Sequence, residues 1–460
     1  MKIIVLGAGQ VGTSVAANLC NESNDITVVD SDQSILNNLQ DRFDLRTVNG
    51  IGSSPNTLEQ AGASEADMII AVTQSDEVNM VACQVAYTIF NIPTKIARIR
   101  NSSYQKHKEL FHSKSIPIDV LINPEDEVTD YTKKIIEFPG AMQVLDFAGG
   151  KVRLVTAKAF YGGPLVGHKL REIPEQIPGI DTRITTIFRR QESIIPNGDT
   201  IIESGDEVLF IAAPHHINAV MSEFHKVDRP NRRVIIAGGG NIGTRLAAAL
   251  NKNYLVKVIE SNEQRARKIS EELENCYVLH GDATDEDLLN QENIDDTDVF
   301  CALTNADEAN IISSMLAKRL GAKTAMALIN RAAYVDLVQH DLIDIAISPQ
   351  QTTIGSVLAH IREADIVKVH SLRRGAAEAI EAIAHGDSNS SNVVGKRIDE
   401  IKLPPGTAIG AIVRGSDVTM VHHDTIIKPE DHVILVVTNK KYVKHVEKLF
   451  QVNTRIFGIG

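Results

Sequence analysis

Residues 1–12 read MKIIVLGAGQVG, and residues 232–243 read RRVIIAGGGNIG. Gly7, Gly9 and Gly12 of the first stretch return as Gly238, Gly240 and Gly243, an offset of 238 − 7 = 231 in a chain of 460 residues. Beyond the glycines, Gly50, Asp67, Thr73, Asp76, Glu77 and Asn79 match Gly281, Asp298, Thr304, Asp307, Glu308 and Asn310 at the same ungapped offset. A match this long at one spacing is internal duplication, so the chain holds two copies of one unit.

Each copy opens on an apolar run, residues 3–6 or 234–237, that passes directly into Gly-x-Gly-x-x-Gly. Val11, Val15 and Leu19, and likewise Ile242, Leu246 and Leu250, then recur every four residues as on one face of a helix. Strand, glycine turn and helix in that order are the context a dinucleotide-binding fingerprint requires. The first glycine permits the tight turn, the second lets backbone approach a pyrophosphate, and the third lets helix pack against strand. The helix start adds free N–H groups and a positive dipole end. The phosphate-facing candidates are therefore Gly7, Ala8, Gly9, Gln10, Val11 and Gly12, with Gly238, Gly239, Gly240, Asn241, Ile242 and Gly243.

A second strand ends at Asp30, 30 − 12 = 18 residues after Gly12, and at Glu260, 260 − 243 = 17 after Gly243. An acid there accepts both ribose hydroxyls and repels a 2′-phosphate, so both sites are expected to take NAD, NADH or an adenosine nucleotide in preference to NADP. Further contacts belong at the carboxyl ends of the remaining strands. Those ends carry Ile51, Thr73, Gln74 and Arg98 in the first copy, and Asp282, Ala283, Thr304, Asn305 and Arg331 in the second.

Apolar strands alternate with helical stretches through residue 122, at residues 2–6, 26–30, 45–48, 68–72, 95–99 and 119–122. That alternation means a parallel sheet covered on both faces. After each such unit the pattern turns to β: residues 152–160, 183–188 and 208–212 read as strands, with a closing helix at 216–224. The second copy has 408–413, 418–422 and 432–437, then a helix over 440–450. Residues 376–384 are alanine-rich but align with 152–160, and are expected as a strand. Residues 387–392 are expected as a loop, and Lys226 to Arg233 as the linker between halves.

The fold class is thus α/β: two tandem copies of a Rossmann-type doubly wound sheet, each followed by a small α+β lobe. The expected divisions are 1–123, a connecting helix at 124–140, a lobe at 141–226, then 232–348, a second connecting helix at 349–364 and a second lobe at 365–453.

A net charge of −12 and a pI near 5.7 argue against nucleic acid and acidic membrane surfaces as partners. Cys20, Cys83, Cys276 and Cys301 lack paired or metal-type spacing and read as reduced thiols. Residues 78–94 are uncharged, but Asn79, Gln84, Tyr87, Asn91 and Pro93 make them too polar to span a membrane. A dehydrogenase needs a substrate pocket and a proton-transfer residue. The lobes offer only His215-His216 and His422-His423, and no P-loop is present.

GAGQVG with Asp30, NGIGSS at 49–54, TQSDEVNM at 73–80, ARIR at 97–100 and INPE at 122–125, on a tandem repeat of this kind, resemble the TrkA family within the regulator-of-potassium-conductance (RCK) architecture. The resemblance covers essentially the whole chain. It implies a non-enzymatic cytoplasmic gating subunit, peripheral on the inner membrane, that binds NAD or NADH at the first copy. ATP is a further candidate ligand, a homotetrameric ring the expected assembly, and a TrkH-like potassium-conducting membrane protein the expected partner. A soluble NAD-dependent oxidoreductase and a nucleotide sensor docking on some other transporter or enzyme are the alternatives.

Overall fold

The computed structural model describes residues 1–20, 24–190, 192–224, 230–338, 342–362, 365–372 and 376–452. Residues 226–229 of the expected linker, 363–364 of the second connecting segment and residue 453 lie outside the described residues. The chain forms two compact units: Met1–Val128 with Ser348–Val357, and Thr129–Ile347 with Leu358–Gly460. This division does not coincide with the duplication.

In the first unit, β1 (Lys2–Leu6), β2 (Asp25–Asp30), β3 (Arg46–Asn49), β4 (Met68–Ala71), β5 (Thr94–Arg98) and β6 (Val120–Ile122) form one parallel sheet in the order β3-β2-β1-β4-β5-β6. The strand order reverses between β1 and β4, which opens a crevice at their carboxyl ends. Ile3, Val5, Ile69 and Ile70 are fully or nearly fully buried, as strands with helices on both faces must be.

The helix Pro124–Glu137 follows β6. Its start is set locally: Pro124 lacks only an N–H that no helix needs at that position, and Asn123 Oδ1 accepts from the Glu125 and Asp126 amides at 3.1 and 3.3 Å. The helix Pro349–Ala359 is its counterpart, and its residues through Val357 belong to the first unit, where the Ser356 hydroxyl donates to Glu127 Oε1 at 2.8 Å.

The second unit contains β7 (Ala141–Phe147), β8 (Val152–Lys158), β9 (Thr182–Arg189), β10 (Glu192–Ile194) and β11 (Glu207–Ala212) as an antiparallel sheet ordered β10-β9-β11-β8-β7. The helix Ile217–Phe224 closes over it, with Phe210 and Phe224 stacked at 5.8 Å. Next come β12 (Arg233–Ala237), β13 (Leu255–Glu260), β14 (Cys276–His280), β15 (Val299–Ala302), β16 (Thr324–Leu328) and β17 (Ile345–Ile347), a parallel sheet with the same order of strands as the first. Finally β18 (Ile366–Leu372), β19 (Ala377–Ala384), β20 (Thr407–Arg414), β21 (Asp417–Met420) and β22 (Asp431–Val437) form the second antiparallel lobe, ordered β18-β19-β22-β20-β21.

The two lobes share one core. Phe147, Leu154, Phe188 and Ile211 of the first pack with Leu372, Ala379, Val413 and Ile434 of the second. Gly410 in β20 makes the approach possible, since a Cβ there would stand 2.2 Å from Ile211 Cδ1 and 2.7 Å from Thr185 Cγ2. Polar pins fix the seam: the Ala148 amide donates to Glu381 at 2.8 Å, the Met420 amide to Asp181 at 3.3 Å, and the Arg183 guanidinium to the Val421 carbonyl. Half-buried His370 packs edge-on to Phe147 at 5.1 Å.

The alanine-rich β19 is a strand despite its helical propensity, because cross-strand burial outweighs a preference of a few tenths of a kcal/mol per residue. The sequence reading lacks β7, β10 and β18. β10 is only three residues long, and β7 and β18 are edge strands with a register shift, at Ala141/Gln143 and at Ile366/Lys368, which breaks the two-residue alternation.

Two candidate nucleotide sites

The same turn is built at both crevices. Gly7 and Gly238 adopt φ of 96° and 107°, and their amides donate to the Val29 and Ile259 carbonyls at 2.8 Å. A Cβ on Gly12 would stand 1.8 Å from the Gly7 carbonyl oxygen, and one on Gly243 would stand 1.9 Å from that of Gly238. These glycines are required by the chain itself. Gly9 and Gly240 differ: a Cβ on either meets nothing within 4 Å. Packing within the chain therefore does not call for glycine there.

The acids sit where the turn needs an acceptor. Asp30 accepts from the Ala8 amide at 2.6 Å and the Asp32 amide at 2.9 Å. Glu260 accepts from the Gly239 amide at 2.9 Å and the Asn262 amide at 2.8 Å. One bond per oxygen leaves further lone pairs on each carboxylate for hydroxyl donors. Glu260 is 4% exposed, with the Arg265 guanidinium 3.7 Å from its Oε2. Asp30 is half-buried.

Across the switch point, Thr73 and Thr304 follow β4 and β15. The Thr73 amide and hydroxyl donate to Asn79 Oδ1 at 3.0 and 2.7 Å, and the Thr304 groups donate to Asn310 Oδ1 at 2.9 and 2.6 Å. The asparagine amides donate onward to the Arg98 carbonyl at 2.9 Å and the Leu328 carbonyl at 2.8 Å. Asp76 holds the Arg100 and Asn101 amides as Asp307 holds those of Asn330 and Arg331.

These bonds fix the equivalences: Arg98 with Leu328, Arg100 with Asn330, Asn101 with Arg331. Arg331 is thus not the counterpart of the first copy's arginines. The connection from Asn310 to Thr324 is one residue shorter than that from Asn79 to Thr94, which shifts the offset from 231 to 230. Arg331 donates to Glu308 at 3.0 Å and Tyr334 at 2.7 Å instead. Asn79 and Asn310, which the sequence shows only as matched positions of the repeat, brace both crevices. Their signal was the matched offset itself.

Of the other candidates, Val11 is buried, while Gln10, Gln74, Asn241 and Asn305 are exposed at the rim. Ile51 is 63% exposed. Asp282 accepts from the Thr284 amide and hydroxyl at 2.8 Å, and Ala283 packs against the core of its sheet. Ile242 is partly buried. His215 and His216 share a turn in the first lobe, and among the described residues no cluster suited to a metal occurs.

Two switch-point crevices, each with a glycine turn and a ribose-type acid, and each followed by an antiparallel lobe, define a tandem RCK-type protein. The TrkA-N domain model matches residues 3–124 and 234–349, and the TrkA-C domain model matches 158–225 and 387–451. The chain belongs to the TrkA family. It is 59% identical over 452 residues to the Trk system potassium uptake protein TrkA of Vibrio alginolyticus, covering 98% of this chain and 99% of that one. It is 59% identical over 457 residues to that of Halomonas elongata, with 99% and 100% covered. These relatives are named as potassium uptake proteins, not enzymes. Among solved structures, the GsuK RCK domain aligns at a TM-score of 0.61 with 19% identity, covering 97% of this chain and 95% of that one. The GsuK channel bound to NAD aligns at 0.60 with 19% identity, covering 97% and 79%.

Proposed function

We propose that the protein is a cytoplasmic regulatory subunit that gates a Trk-type potassium uptake system by binding NAD(H), and ATP as a further ligand, at its two crevices. Gly9 and Gly240 carry this reading. Each is a glycine that the chain does not need, at the point where backbone would approach a pyrophosphate, beside an acid with free lone pairs. The turns of residues 7–12 and 238–243 would hold the pyrophosphate, Asp30 and Glu260 the ribose hydroxyls, and Thr73, Gln74, Arg98, Ile51, Asp282, Ala283, Thr304 and Asn305 the remainder of the rim. Kinship with proteins named as Trk system potassium uptake proteins supports the physiological role. Among the described residues no helix is long and apolar enough to cross a membrane, which fits a chain acting through a separate, TrkH-like conducting subunit as a homotetrameric ring.

Gating by such a device requires differential affinity. A nucleotide shifts the equilibrium only as far as it binds one shape better than the other. The helix Pro124–Glu137 starts two residues after β6, the last strand of the sheet that carries the first crevice, and is the natural element to carry the shift.

The test is calorimetric titration of the full chain with NADH, NAD, NADPH and ATP, beside Asp30→Ala and Glu260→Ala. Binding without turnover, lost selectively in each variant, with NADPH weakest, is the expected result. Consumption of NADH, or affinity unchanged in both variants, overturns the assignment.

A further inference from the structure

The two copies differ in sign at one place on their surface. Tyr104 and Tyr334 hold equivalent positions, each hydroxyl donating to the glutamate at its own helix start, Glu77 at 3.2 Å and Glu308 at 3.1 Å. Asp119 and Asp344 are equivalent too, accepting from the Lys95 and Ala325 amides at 2.6 and 2.8 Å. Between these landmarks the first copy takes 119 − 104 = 15 steps and the second 344 − 334 = 10, so the first is longer by 15 − 10 = 5 residues between β5 and β6. The longer connection is basic. Residues 106–114 read KHKELFHSK, whereas the second copy has Asp336 and Asp341 and neither lysine nor arginine in that span. On a chain of net charge −12 this is a reversal of sign confined to one loop.

The loop is built to hold that charge outward. Tyr104, Phe111 and Ile116 pack against the core of the first sheet, Gln105 Nε2 donates to the Ile99 carbonyl at 2.7 Å, and the Ile116 amide closes the turn on the Leu110 carbonyl at 3.0 Å. Lys106, Lys108, His112 and Lys114 are left exposed. The loop's acid, Glu109, is engaged by His107 Nδ1 at 2.8 Å, and among the described residues no carboxylate pairs with the three lysines.

We infer that residues 106–114 are a docking surface for the anionic lipid headgroups of the membrane around the conducting subunit. The inference rests on the regulatory-subunit reading above and adds a second, direct anchor. Cytoplasmic loops of membrane proteins are themselves rich in lysine and arginine, so a basic loop is repelled by them and drawn to the negatively charged leaflet. Nucleic acid is disfavoured for another reason: three lysines on a chain of net charge −12 make too few phosphate contacts. The net charge does not forbid the lipid contact, because charges more than about 8 Å away are largely screened at physiological salt. Each lysine close to such a leaflet is worth about fivefold in binding, so three together are worth about a hundredfold. Repetition of the loop round the proposed ring multiplies the effect.

The experiment is flotation of the full chain with excess vesicles of phosphatidylcholine, alone or with about one-third phosphatidylglycerol. The unmodified chain is expected on the anionic vesicles and not on the neutral ones, and to be released as salt rises from about 0.05 M to about 0.5 M. Lys106→Gln, Lys108→Gln and Lys114→Gln together should lower the partition coefficient about 100-fold, and arginine at the same three positions should retain it. The control is Lys252→Gln, Lys402→Gln and Lys444→Gln, three exposed lysines elsewhere whose loss gives the same net charge, −12 − 3 = −15, and should change binding less than about threefold. Circular-dichroism melts establish that each variant is folded. Equal loss in the two triple variants, or no retention of the unmodified chain on anionic vesicles, would overturn the inference. Retention only on vesicles that also carry the conducting membrane protein would overturn it as well, since the lysines would then be meeting protein. Nucleotide titrations of the loop variant should match those of the unmodified chain. If the unmodified chain binds no nucleotide at all, the gating reading falls while the vesicle result still decides whether the loop meets lipid.

Discussion

Replacing Gly243 with alanine separates the glycine the fold needs from the glycine a ligand needs. The new Cβ would lie 1.9 Å from the Gly238 carbonyl oxygen, 3.0 − 1.9 = 1.1 Å inside the closest approach real Cβ atoms show. The obstructing atom is backbone in a turn pinned by Gly238 N to Ile259 O and Gly239 N to Glu260 Oε2, so rotamer changes give no relief. Relaxation must move the helix Asn241–Leu250 off β12, and overpacking of that kind costs about 2–3 kcal/mol. For a unit of this size each kcal/mol lowers Tm by about 2–4 °C, giving a fall of roughly 4–12 °C. Gly240→Ala, three residues earlier, finds open space and should move Tm by no more than about 2 °C, since such surface changes stay within about 0.5 kcal/mol. Yet it should impair nucleotide binding by blocking the close approach of backbone. The chain has no tryptophan, so far-UV circular dichroism is the probe. The Gly12→Ala and Gly9→Ala pair repeats the comparison in the first copy, where the clash is 1.8 Å. Equal melting points for the two variants of either pair would refute the argument.

Other expectations are more local. Gly410→Val should destabilise the lobe seam by about 1–3 kcal/mol by overpacking against Ile211 and Thr185, read as a lower urea midpoint. Arg362→Ala removes the guanidinium that pairs with the buried carboxylates of Glu378, at 2.8 Å, and Glu447, at 3.4 Å, and should cost about 3–5 kcal/mol; a change under 1 kcal/mol would show that the ion pairs are not buried. Burial pushes the His370 imidazole down to about 3. The unfolded chain therefore takes up a proton below about pH 6.5 that the folded chain refuses, so stability should fall as pH drops from 6.5 towards 3, by roughly 1.4 kcal/mol per pH unit at most. His370→Gln should flatten that slope in denaturant titrations at pH 4 to 7. Burial also pushes the Cys83 and Cys301 thiols up to about 12. A thiol reagent at neutral pH should leave both untouched in the folded protein and label all four cysteines after unfolding; early labelling of Cys301 would contradict its place in β15.

The parallel sheets were legible because an all-buried strand such as residues 3–6 writes its environment into every position, and because each landmark was read twice. The glycine turns and the acids at 30 and 260 were legible for the same reason. What escaped was whatever depends on register. β7 and β18 carry bulges that interrupt alternation. The single-residue shortening before β16 makes Arg331 look like the counterpart of Arg100, and only the asparagine and aspartate bonds place it opposite Asn101. The shared lobe core was invisible for a different reason. Apolar positions facing another lobe and those facing a lobe's own helix look identical in sequence.

The helix Pro349–Ala359 is encoded after the second crevice, yet through Val357 it belongs to the unit that holds the first. Together with the joint lobe core, this means that neither half of the polypeptide is closed on itself. A gene cut in two at the linker would yield two products that each lack a surface the other supplies. They would be expected to fold only on meeting, at a cost in concentration that the intact chain never faces. Fusion therefore fixes the pairing of the two crevices at one to one in every molecule, so that both are always delivered in equal number.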